Sequence, residues 1–135
     1  MTPDEFFKAQ RLHRDGDFAA AVSLLQDILE HTPNHVAAWR LYAGALREVG
    51  RPDDAVDADT KGNAVEADHT ADVGASLLFH GDLKRGRAFF ERAIVLDPDC
   101  ITAHWLLGDI EGREGRDALA LAHYRRCLEI DPTRT

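Results

Sequence analysis

Apolar residues return along this chain at the spacing of helix faces, in runs too short for long helices. In FFERAIVLDP, Phe89, Phe90, Ala93, Ile94 and Leu96 fall on one face, the i, i+3, i+4, i+7 signature of a half-buried helix. In ALAHYRRCLEIDP, Leu121, Tyr124, Cys127 and Leu128 repeat that spacing. No strand-like alternation competes with it. Gly16, Gly50, Gly81 and Gly115 each precede a short polar turn and a new apolar run, at spacings of 34, 31 and 34 residues. Pro33, Pro98 and Pro132 close three of the four units. Glycine ends one helix and proline the next. The pattern predicts four helix-turn-helix pairs, at about 3–14/18–31, 36–48/52–65, 70–79/83–96 and 101–113/117–129.

A fixed period of this size means stacked supersecondary units. The chain resembles the tetratricopeptide repeat family, whose pattern runs aromatic, Leu-Gly, a Tyr-like position, Gly, Ala, an aromatic, Ala and Pro. The fourth unit matches best, with Trp105, Leu107, Gly108, Gly115, Ala120, Tyr124 and Pro132. The third has Val73, Gly74, Leu77, Gly81, Phe90, Ala93 and Pro98, with Gly86 at the first Ala position. The first supplies Ala9, Leu12, Gly16, Phe18, Ala21, Leu25 and Pro33. The second opens with Trp39, Tyr42, Ala43, Leu46, Gly50 and Ala55, and then loses the pattern. The resemblance implies an all-α, right-handed superhelical solenoid of four antiparallel helix-turn-helix pairs. It would be a single domain over 1–135, with repeats of about 2–35, 36–66, 67–100 and 101–134.

The pattern fails in AVDADTKGNAVEAD, Ala55 to Asp68. Asp57, Asp59, Gly62 and Asp68 sit where the first, third, sixth and twelfth residues of a calcium loop would sit. Lys61 then places a cation beside the ion, and Ala64 lacks the branched apolar side chain of such loops. A helix explains more: Ala55, Ala58, Gly62 and Val65 make one narrow face of small residues, with Asp57, Lys61 and Asp68 toward water. Asp59 stands where the other units have Leu25, Phe90 and Tyr124, and Gly62 where they have Ile28, Ala93 and Cys127. The stretch reads as a degenerate repeat, or a hinge, with a tight or irregular join to the next unit, and no metal is expected. Gly62 inside a helix costs about 1 kcal/mol relative to alanine.

Composition narrows the function. The net charge of −8, without a basic face, argues against a nucleic-acid partner. No apolar run reaches membrane-spanning length, and MTPDEFFKAQRLHRDGD lacks a secretory apolar core. Cys100 and Cys127 are too few for a disulfide framework, with Cys127 on an apolar stripe. A cytoplasmic protein is the expectation. His31 and His35 flank Pro33 at a turn; His69 with Asp68 and Asp72 reads as capping chemistry, Asp68 or Thr70 starting the helix ADVGA. No catalytic set appears, so neither enzymatic activity nor a cofactor is expected.

The resemblance implies a non-catalytic scaffold that binds a protein or peptide partner in a concave groove lined by the first helix of each pair. The register places Phe6, Gln10, Arg40, Gly44, Arg47, Ala71, Leu78, Trp105 and Asp109 inward. Two arginines among apolar and small residues suit a ligand with a carboxylate between apolar anchors. The clamp by which some members grip chaperone tails is absent, since its places hold Phe6, Gln10, Leu41, Asp68 and Asp72. Leu121, Tyr124, Leu128 and Ile130 on the last helix form a candidate oligomer interface, an apolar patch for a homodimer or another protein. The alternative is an N-terminal substrate-recruiting repeat domain of a longer transferase-type enzyme.

Overall fold

The computed structural model describes residues 3–133. Among them seven helices form: α1 (Pro3–Arg14), α2 (Phe18–His31), α3 (Val36–Glu48), α4 (Pro52–Phe79), α5 (Leu83–Leu96), α6 (Ile101–Arg113) and α7 (Asp117–Ile130). The chain divides into two compact units, residues 1–65 and 66–135, each with its own core.

The glycine turns share one hydrogen-bond pattern. Gly16, Gly50, Gly81 and Gly115 all have positive φ, from 79 to 88°, which a side chain would strain. After each of them the next N–H reaches back to close the helix, Asp17 to Leu12 O at 2.9 Å and Arg51 to Leu46 O at 2.8 Å. Asp82 to Leu77 O and Arg116 to Glu111 O repeat that Schellman bond at 2.9 and 2.8 Å. Caps on the far side of the turns vary. Asp82 accepts from Arg85 N–H at 3.1 Å, and the Arg85 side chain holds its carboxyl below the usual range. His35 Nδ1 caps α3 by accepting from Ala38 N–H at 3.1 Å.

In unit 1, α1 packs on α2 and α3, and α2 on α3. Its core joins Ala9, Leu25, Ile28 and Leu46 to Ala55 and Ala58. In unit 2, α5 and α7 both pack on α6; Phe90, Ala93, Leu107 and Ile110 center that core. Cys127 is fully buried with its thiol toward Ile101 O, a small apolar residue as the stripe implies.

The expected break between 65 and 70 is absent. Residues 52–79 form one 28-residue helix, so the second helix of repeat two runs on as the first of repeat three. The other units break at TPNH and DPDC, where proline removes an N–H and clashes with the preceding turn. Glu66-Ala67-Asp68-His69 contains no proline, and the spacing of 31 against 34 has removed the residues a turn needs. Helix is what remains. Capping by Asp68 or Thr70 is therefore corrected: Thr70 Oγ1 donates to Glu66 O at 2.8 Å inside the helix.

The Ala55–Asp68 stretch is helix throughout, which leaves no loop to wrap an ion. Ala55, Ala58 and Gly62 are buried, and Asp57, Lys61 and Asp68 face water. A Cβ on Gly62 would lie 3.0 Å from Trp39 Cβ, so the missing side chain lets α3 and α4 close on each other.

Candidate functional site

In unit 1, side chains from α1 and α3 bound a concavity of about 480 Å³. Phe6, Gln10 and His13 project from successive turns of α1; Ala37, Arg40, Leu41 and Gly44 do so from α3. Four of the nine expected groove residues thus line one space. Phe6 rests on the His35 ring with centroids 4.5 Å apart. Gly44 leaves room, since a Cβ there would meet only His13 Nε2, at 3.4 Å.

The two arginines are not waiting for a ligand. Arg40 donates to Asn63 Oδ1 at 2.6 Å and lies 3.6 Å from Asp59. Arg47, the fifth expected residue, is ion-paired to Asp59. Asp59, which departs from the repeat pattern, and Asn63, in the same stretch, therefore already serve these guanidinium groups. Register alone cannot show this, because the partners lie 12 to 23 residues further along.

A second depression, about 600 Å³, adjoins the first through Gln10 and Leu41. Phe7, Arg11 and Arg14 complete its lining. Phe7 is 64% exposed, and neither arginine has an ion pair among the described residues, unlike Arg40 and Arg47. The sequence reading missed all three. Three nearby cations on α1, Lys8, Arg11 and Arg14, were the available signal.

The expected residues of unit 2 fare differently. Ala71 and Leu78 are buried in its core, which corrects their assignment to a ligand surface. Their places on α4 face α5 and α6 because helix contacts, not register, decide which stripe is covered. Trp105 stays 40% exposed and packs on Tyr124, centroids 5.0 Å apart. Asp109 is taken: the Tyr124 hydroxyl donates to it at 2.6 Å, and this carboxylate pushes the phenol up to about 12. Gly108 admits the same ring, since a Cβ would come 2.6 Å from Tyr124 Cε1.

Two polar clusters in unit 2 carried no periodic signal. Glu111 is 4% exposed and paired with both Arg87 of α5 and Arg116 before α7. Arg87 and then Arg116 hold its carboxyl below the ordinary range. His104 is also nearly buried and meets His123 across the α6–α7 contact. Of the turn histidines, His31 Nδ1 donates to Asp27 O of its own helix at 2.8 Å. Among the described residues no three His, Cys, Asp or Glu side chains gather as a metal site, and no helix is long and apolar enough to cross a membrane.

Two family models described as tetratricopeptide repeat match the chain, over residues 12–73 and 74–135. No curated protein matches. Among solved structures, a crystal structure of MamA is 21% identical, with 92% of this chain and 74% of that one covered and a TM-score of 0.47. MamA from Desulfovibrio magneticus RS-1 is 22% identical, with 96% and 75% covered and a TM-score of 0.46. With repeat models matching 12–135 and glycine-closed helix hairpins recurring through both units, the chain belongs to the tetratricopeptide repeat family, a family of protein-interaction scaffolds.

Proposed function

We propose that the α1–α3 face of unit 1 binds a peptide whose apolar side chain enters the concavity and whose acidic residues reach Arg11 and Arg14. The observation that supports this is an open apolar space bounded by Phe6, Leu41 and Gly44, next to two arginines without ion pairs among the described residues. Exposed guanidinium groups bind carboxylates bidentately, and an apolar anchor supplies affinity that rim charges alone do not. Arg40, already held by Asn63 and Asp59, shapes the wall. In a chain of net charge −8, these two arginines also favor partners with acidic groups.

The reading is tested by selecting random peptides on the immobilized protein. Sequences combining one or two large apolar residues with Asp or Glu are expected. Gly44→Leu fills the concavity and should cut their affinity by about tenfold or more while leaving the melting temperature intact, since leucine favors helix over glycine. Arg11→Glu with Arg14→Glu should do the same, with a steeper loss at low salt. Selected peptides indifferent to both changes would sink the proposal.

A second reading, self-association, is favored by the last helix. Leu121 and Leu128 are 54% and 45% exposed and lie seven residues apart on one stripe of α7. Ile130 is half-buried, and Tyr124 turns toward α6. A dimer in light scattering that dissociates on Leu128→Glu is the expected result; a monomer at every concentration ends this reading.

A further inference from the structure

His104 of α6 and His123 of α7 make a polar contact within the α6–α7 packing, which Tyr124 and Asp109 also bridge. Their Nδ1 atoms lie 3.3 Å apart, and their ring centroids 5.6 Å, so the rings meet end to end and do not stack. His104 Nε2 is 2.8 Å from Pro98 O. A carbonyl oxygen only accepts, so His104 Nε2 carries a proton. In the neutral pair His104 Nδ1 is therefore bare, and His123 Nδ1 donates to it. One added proton is accommodated, because it settles on the outer nitrogen of His123 or between the rings and leaves a single N–H at the contact. A second proton puts an N–H on each Nδ1, two donors and two positive charges face to face.

We propose that this pair is an acid-sensitive latch of unit 2, closed with zero or one added proton and forced open by the second, which loosens α7 from α6. The surroundings do not relieve the second charge. Arg87 of α5 and Glu111 of α6 act on His123 with opposite sign and are paired with each other. Arg116, before α7, is committed to Glu111 and Glu114. In the turn that holds Pro98, Asp97 accepts from Asp99 N–H and Asp99 from Arg126. On α7 itself, Tyr124 keeps its proton, its phenol pushed up to about 12, and Arg126, one turn on, is a further positive charge committed to Asp99. Burial, and then the charge of His104, hold His123 below its ordinary value of 6.5.

The sign follows. A histidine whose folded value is lowered costs nothing above 6.5, where both states are neutral. Below that the unfolded chain takes the proton first, so stability is lost as pH falls toward the folded value. Melting temperatures are compared between pH 7.5 and 5 in EDTA for the wild type and His123→Asn, whose amide can donate to or accept from His104 without charge. The wild type is expected to lose about 5 °C more than the variant across that range. Equal losses would overturn the latch. Should His123→Asn fold poorly, the Hε1 resonances of the wild-type rings decide: two separate titration steps, the second below the usual range and accompanied by shifts in α7 amides, are expected. Both rings fully protonated at pH 5 with α7 unchanged would overturn it as well.

Discussion

Replacing Phe90 with alanine should destabilize unit 2 by about 4 kcal/mol, within the range for emptying a buried aromatic site. Phe90 is fully buried and lies directly on Gly74, where a Cβ would be 2.8 Å from Phe90 Cε1. Glycine has no side chain with which to fill the void, and the adjoining backbone is held in α4. The same contact makes the effect of Gly74→Ala depend on background. In the wild type it overpacks the ring and should cost about 1–3 kcal/mol. In Phe90→Ala it should stabilize, since the space is open and alanine favors helix by about 1 kcal/mol. A double-mutant cycle by urea unfolding, followed by helical circular dichroism, measures this coupling. Additive effects would mean that the two residues do not share the space.

His69→Pro should cost about 3 kcal/mol or more, whereas His69→Ala should be nearly neutral. His69 is exposed in the interior of α4, so only the backbone changes: proline removes an intrahelical N–H and clashes with the preceding turn. A turn between two helices, as the repeat pattern suggests for 66–69, would tolerate the change. Loss of helical ellipticity with a lowered unfolding midpoint is the expected result. An unaltered midpoint would show that α4 is not continuous there.

The chain's own punctuation made most of the fold legible. Helix length, the four glycine turns and two of the internal proline breaks could be placed because each depends on a residue whose backbone chemistry is local: positive φ for glycine, a missing N–H for proline. The merged α4 was legible only as an anomaly. A shortened spacing and an absent proline were both visible, but expecting a regular repeat put a turn where no residue demanded one. Within the candidate site, four residues that register places inward, Phe6, Gln10, Arg40 and Gly44, line one concavity.

What the sequence determined by itself was therefore the all-α repeat and its periodic faces, because hydrophobic spacing and turn residues act over a few neighbors. Tertiary structure decided which polar groups are spent. Arg47 goes to Asp59, Asp109 to Tyr124, and Glu111 to Arg87 and Arg116, while Arg11 and Arg14 are without ion partners among the described residues. It also placed Ala71 and Leu78 inside a core and set His104 against His123. Such pairings join residues up to 24 positions apart. They depend on the packing of neighboring helices, whose outcome no local spacing records.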